Sequence, residues 1–126
     1  MGLGTNEKCL VLIADDSNLI QLGVCRLLKG EPRIEVVGTA TSFEQALRLG
    51  ALLKPRVVLL DLHMPDGAAF EPAVVKATLL NSAERIIAMS AWDDEASAAL
   101  AVSYGAALLL HKGTMIHTLI PALLES

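Results

Sequence analysis

Residues 60–67 read LDLHMPDG: an apolar run ends in a carboxylate, Asp61, and a loop carrying Pro65 and Gly67 follows. An ionised carboxylate at the end of a buried strand must be paired or must face a cation, because leaving water alone is costly. Two more carboxylates, Asp15 and Asp16, close the earlier run LVLIADD, Ser90 closes RIIAMS, and Lys112 closes AALLLHK. Three carboxylates pushed together repel one another unless a cation is present, so the set predicts a hard divalent metal. All-oxygen ligation that keeps part of the hydration shell suits Mg²⁺. With its charge offset, Asp61 can use one oxygen as a ligand and the other as a nucleophile toward phosphorus. Lys112 would supply positive charge to the phosphoryl oxygens and Ser90 a hydrogen bond. Taken singly, each residue has a plainer reading. An Asp at a strand end often caps the next helix, a Ser there is uninformative, and a lone Lys is usually a solvated charge. Their joint placement carries the chemistry.

That placement depends on the elements between them. Strand candidates cover 8–15, 33–40, 56–61, 85–91 and 106–112, and most are continuous apolar runs of the kind found in strands covered on both faces. Helix candidates cover about 17–29, 42–53, 70–81, 93–104 and 114–124. Ser17, Ser42 and Thr114 sit at N-cap positions, and Asp93, Asp94 and Glu95 set negative charge at the start of the fourth helix. Five βα units in succession predict an α/β fold, a doubly wound five-stranded parallel sheet with five helices. Ligands of such sheets bind beyond the carboxyl ends of the strands, where all five candidate residues fall.

The chain has 126 residues, 53% hydrophobic and 19% charged, so 1–126 is read as one globular domain. The longest charge-free stretch, 96–110, is too short and too interrupted to span a membrane, and 1–8 lacks the pattern of a secretory signal. Cys9 and Cys25 form no metal-binding or redox motif, which suits two reduced thiols in the cytoplasm. A net charge of −4 without any basic run argues against direct contact with nucleic acid.

Four motifs together, LIADDSN, VVLLDLHMPDG, IIAMSAW and LLLHKG, resemble those of the receiver domains of two-component response regulators, and the resemblance covers the whole chain. It implies a flavodoxin-like (βα)5 fold with strand order 2-1-3-4-5. It implies Asp61 as phosphoacceptor, Asp15 and Asp16 as Mg²⁺ ligands with Asp61, and the backbone carbonyl of His63 as a further ligand. Ser90 matches the switch hydroxyl, Tyr104 the switch aromatic, and Lys112 the lysine that pairs with the phosphoryl group. The implied donor is a sensor histidine kinase, and the implied partner is an output domain or downstream protein, commonly one that regulates transcription. On this reading the chain catalyses only its own phosphorylation and dephosphorylation and is not a conventional enzyme. Phosphorylation would draw Ser90 inward and let Tyr104 turn from exposed to buried. Gly113 stands where many relatives have proline, so a cis bond after Lys112 is not to be assumed. His63 and Trp92 flank the site, and His111 and His117 read as structural or solvent-facing.

The fourth and fifth helices are more apolar than a single core-facing stripe requires, and Pro121 should bend or restart the last one. The surplus suits a partner or a homodimer through these helices. Two other functions compete. A metal-dependent phosphatase with an aspartyl nucleophile would place an acid or base two residues after Asp61, where His63 stands, and would carry a cap insertion that is missing. A receiver-like interaction module that is never phosphorylated would not need the acidic set. A nucleotide- or flavin-binding domain is disfavoured, because ADDSN replaces a phosphate-binding loop after the first strand.

Overall fold

The computed structural model describes residues 7–125. The reading of 1–8 therefore lies largely outside the described residues. Five strands, β1 (Cys9–Ala14), β2 (Ile34–Ala40), β3 (Val57–Asp61), β4 (Arg85–Ser90) and β5 (Ala106–His111), alternate with five helices. The helices are α1 (Asn18–Lys29), α2 (Phe43–Leu53), α3 (Pro72–Leu80), α4 (Glu95–Ser103) and α5 (Met115–Leu124). The strands pair in parallel in the order β2-β1-β3-β4-β5. The expected fold and strand order are both present.

Strand alternation divides the core into two layers. Leu12, Ala14, Val58, Leu60, Ile86 and Ala88 face α2, α3 and α4. Val11, Ile13, Val57, Leu59, Ile87 and Met89 face α1 and α5. Covering on both faces is why the three central strands are apolar at nearly every position. β2 and β5 are the edges and are only partly buried.

Two of the three anticipated N-caps form: Ser17 Oγ accepts the Ile20 N–H at 3.2 Å and Ser42 Oγ accepts the Gln45 N–H at 3.1 Å. Thr114 does not cap α5; its hydroxyl donates to the His111 carbonyl at 3.3 Å instead. α3 begins at Pro72, later than expected, because residues 67–69 form a 3₁₀ turn ahead of it. α5 does not restart at Pro121. The proline removes one backbone donor, but the helix runs on for three more residues, and Glu125 N–H still reaches the Pro121 carbonyl at 3.1 Å. The described residues contain no cis peptide bond, so Lys112–Gly113 is trans. Both cysteines are free. No helix of the described residues is long and apolar enough to cross a membrane.

The loop that follows Asp61 is tied to the neighbouring helix. Asp66 accepts the N–H of Phe43 at 3.0 Å and that of Glu44 at 3.1 Å, so a carboxylate from the β3–α3 loop satisfies free amides at the start of α2. Gly67 gives room beside it, since a Cβ there would lie 3.1 Å from the buried Phe43 ring and press on it. Replacing Asp66 with Ala should cost about 1–2 kcal/mol in urea unfolding, and Asp66→Asn should cost less, because one acceptor oxygen remains. Equal stability of the Ala variant and the wild type would contradict this tether.

Candidate functional site

Each site residue lies where its strand stops. Asp15 and Asp16 follow β1, Asp61 is the last residue of β3, Ser90 the last of β4, and Lys112 follows β5. The sheet register sets Asp61 beside Met89, and Ser90 beside His111, immediately before Lys112. The five residues are thereby gathered at one edge, as the strand pattern implies.

Asp15 is wholly buried and Asp61 is 3% exposed, whereas Asp16 faces solvent. One carboxylate oxygen of each lies within 4.8 Å of the other two. Asp15 Oδ1 accepts the Ser17 N–H at 2.9 Å. Its other oxygen is paired with the Lys112 ammonium at 2.7 Å. The same ammonium is 3.4 Å from Asp61 Oδ1, which also accepts the His63 N–H at 3.2 Å. Two like charges at such a separation repel by roughly 3 kcal/mol at an effective dielectric of about 20. One lysine cannot balance three carboxylates, and the protein responds through its proton equilibria. Burial pushes the Asp61 carboxyl up to about 6, helped by the neighbouring Asp15 and Asp16 and opposed by the His63 N–H and Lys112. Burial by itself would lower the Lys112 ammonium, but Asp15 and Asp61 outweigh it and raise it.

These residues fit a divalent cation. Donors are hard oxygens, three clustered carboxylates share one lysine, and one buried carboxyl is held well above its ordinary range. Asp15, Asp16 and Asp61 are the residues that would hold the ion.

Ser90 is wholly buried. Its oxygen accepts the Trp92 N–H at 2.9 Å and its proton goes to Ser97 Oγ, 3.3 Å away. The Trp92 side chain is exposed. Tyr104 requires a correction. The ring expected to be exposed before switching is already buried, at 3% exposure, and is stacked on Phe43 with ring centroids 5.3 Å apart. It caps the end of α4 and joins Phe43 and Phe70 in one aromatic group. Burial raises its phenol pKa, with a further push from Asp66. The side chain of His63 is exposed and lies outside the carboxylate group.

Three contributors were not evident in the sequence. Gln21 Nε2 donates to the carbonyls of Asp15 at 2.7 Å and Ala40 at 2.8 Å, bracing the acidic turn against the end of β2. His111 Nδ1 accepts the Gly113 N–H at 3.2 Å while Nε2 lies 3.0 Å from the Ala91 carbonyl. A neutral ring protonated on Nε2 satisfies both contacts and joins the turn after β5 to the loop after β4. The available signal was Gly113 itself, since a proline there has no N–H to give. Ser97 is the third, a buried hydroxyl inside a helix that read as merely small and apolar.

The raised Asp61 carboxyl fixes the sign of a pH effect. In the unfolded chain it titrates near 4, roughly 3.9 for an Asp. The folded state therefore takes up a proton first as pH falls, and the resulting stabilisation is complete below about 4 and lost as pH rises through about 6. Metal-free protein should melt higher at pH 5 than at pH 7.5, with the gap reduced in Asp61→Asn. A saturating divalent cation should raise Tm most at the higher pH. Asp16→Asn should melt higher than wild type without metal and respond less to it. Melting lower with a full metal response would contradict this account of the cluster.

A family model for the response regulator receiver domain matches residues 11–124. Among curated relatives, the response regulator GacA of Pseudomonas protegens is 31% identical over 113 residues, covering 90% of this chain and 53% of that protein. The protein-glutamate methylesterase/protein-glutamine glutaminase 2 of Anaeromyxobacter dehalogenans is 32% identical over 109 residues, covering 86% of this chain and 31% of that protein. The chain thus spans about a third to a half of the length of these two relatives. The solved signal receiver domain of the response regulator NarL from Mycobacterium tuberculosis superposes with a TM-score of 0.81 at 33% identity, covering 94% of each chain. The acidic cluster, the lysine opposite it and the sheet that assembles them accompany a match over nearly the whole chain: the protein belongs to the response regulator receiver domain family.

Proposed function

We propose that this chain is a phosphorylation-controlled switch in which Asp61 accepts a phosphoryl group from the phosphohistidine of a sensor histidine kinase, with Mg²⁺ as cofactor. The observation that supports it best is the buried Asp61 carboxylate with Asp15, Asp16 and Lys112 all turned toward it. A divalent cation held by Asp15, Asp16, Asp61 and the His63 carbonyl would offset the carboxylate charge and help neutralise the incoming phosphoryl oxygens. The rest falls to the chain's own residues. Asp61, ionised above about pH 6, attacks phosphorus with one oxygen; the phosphorus–nitrogen bond to the donor imidazole breaks and the imidazole leaves with that electron pair. Lys112 places its ammonium on the phosphoryl oxygens, and the Ser90 hydroxyl donates to one of them.

The downstream consequence is a change in the loop between β4 and α4 that is read by an output domain or a separate protein, with control of transcription the leading use. Tyr104 supports packing in this conformation, and Ser90 is the better-placed switch residue. Exposed apolar side chains on α4, β5 and α5, namely Val102, Leu108 and Ile116, support a contact face there, for an output partner or a second copy. The unit proposed is the single domain 1–126, working in the cytoplasm, where the kinase's phosphohistidine is available. An acidic balance without a basic run supports a role free of direct nucleic-acid contact. Nothing about His63, which is exposed and tied to Asp61 only through its N–H, supports an external phosphatase.

Incubation with acetyl phosphate and Mg²⁺ should add one phosphoryl group to the intact mass. The label should be absent in Asp61→Asn, strongly reduced in Lys112→Ala, and abolished by chelation. Equal labelling of Asp61→Asn, or labelling that survives chelation, would contradict the assignment.

A further inference from the structure

Ser90 has a single proton to donate, and in this conformation the proton is already in use. Its acceptor is Ser97 Oγ at 3.3 Å, and both hydroxyls are buried, Ser90 completely and Ser97 to 2% exposure. Ser97 lies in the first turn of α4, where its own N–H is fixed by the Asp94 carboxylate at 2.8 Å. The Ser90 oxygen is also occupied, by the Trp92 N–H at 2.9 Å. The hydroxyl is therefore committed on both its donor and its acceptor side.

We propose that Ser97 is a positioning residue that holds the Ser90 hydroxyl in the resting arrangement, and so sets how readily Ser90 is released to a phosphoryl group on Asp61. The proposal rests on the reading of Asp61 as phosphoacceptor and Ser90 as donor to it. A hydroxyl cannot donate one proton to two acceptors, so each phosphoryl contact made by Ser90 ends the bond to Ser97. Ser97 Oγ would then lose its buried donor and keep only its own bond to the Asp94 carboxylate, a less favourable state that counts against switching. At 3.3 Å the bond is longer than the usual 2.7–2.8 Å between hydroxyls, so the hold is modest and breakable. A hold of that kind suits a reversible signal better than a short, strong bond would. The plainer role, a small residue filling space where α4 meets β4, is separable: Ala fills nearly the same volume, favours the helix and lacks only the oxygen.

The test uses the full chain at saturating Mg²⁺, with beryllofluoride as the phosphoryl mimic. Binding is measured by calorimetry and by emission of Trp92, the only tryptophan, whose backbone N–H contacts Ser90. Four proteins are compared: wild type, Ser97→Ala, Ser90→Ala and the double variant. Ser97→Ala should bind beryllofluoride about two- to threefold tighter than wild type, the low end of what one hydrogen bond is worth. Ser90→Ala should bind more weakly than wild type, and adding Ser97→Ala to it should change nothing, because no proton remains to be competed for. Affinity for Mg²⁺ alone should be the same in wild type and Ser97→Ala. Unchanged or weaker beryllofluoride binding by Ser97→Ala overturns the proposal, as does a gain that persists without Ser90 or one matched by an equal gain in Mg²⁺ affinity. If wild type binds no beryllofluoride, or Ser90→Ala binds it equally well, the underlying reading of the site falls and this proposal with it. If Ser90→Ala binds more weakly while Ser97→Ala is unchanged, this proposal alone fails.

Discussion

Asp15 and Asp61 are two carboxylates that the sheet buries side by side, and the rest of the molecule is arranged around the cost of keeping them there. β1 and β3 are adjacent parallel strands, so residues at their carboxyl ends cannot avoid each other. Lys112, delivered from the far side of the sheet by β5, sits 2.7 Å from one and 3.4 Å from the other. Burial, only partly offset by that single charge and the His63 N–H, holds the Asp61 carboxyl up at about 6 rather than near 4. A site with surplus buried negative charge is poised to take up a cation, and a cation in turn makes room for a phosphoryl group. Chemistry and instability have the same origin.

The surrounding loops show how a fold carries such a site without losing its shape. Each turn at this edge is fastened to a different element from the one it leaves. Gln21 ties the acidic turn to β2, Asp66 ties the loop after Asp61 to α2, and His111 ties the turn after β5 to the loop after β4. These are bonds to backbone groups, so they fix loop position without engaging the carboxylates. The loop after β4 is held through the Ser90 hydroxyl, by the Trp92 N–H at 2.9 Å and the longer Ser97 contact, and by one ring nitrogen of His111. It is also the loop that a change of charge at Asp61 would have to move, and a segment that must move is expected at the less stable end of the structure.

The apolar runs make the fold legible in the sequence, because strands covered on both faces admit few polar residues and the residues closing them stand out. Asp15, Asp16, Asp61, Ser90 and Lys112 could be found in that way: each breaks an apolar pattern at a strand end. Ser97 and Gln21 could not, since both lie within helices where a polar residue is unremarkable, and their roles follow from how each helix folds back on the strand end before it. Tyr104 was legible as an aromatic beside the last strand, but its state was not. Whether a ring is buried depends on a stacking partner in α2, Phe43, distant in the chain. Thr114 illustrates the same limit at a helix end. Its hydroxyl had a nearer alternative in the His111 carbonyl, and local chemistry prevailed over the cap pattern.

The central claim is that Asp61 is a carboxyl whose charge is suppressed by its burial beside Asp15 and restored by a divalent cation. Proton release on Mg²⁺ binding measures this directly, by calorimetry in two buffers of different ionisation enthalpy. The account predicts release near pH 6 that fades by pH 8, as Asp61 becomes fully ionised beforehand, with Mg²⁺ affinity rising over the same interval. Heats that do not depend on the buffer at pH 6, together with an affinity flat from pH 5.5 to 8, would contradict it.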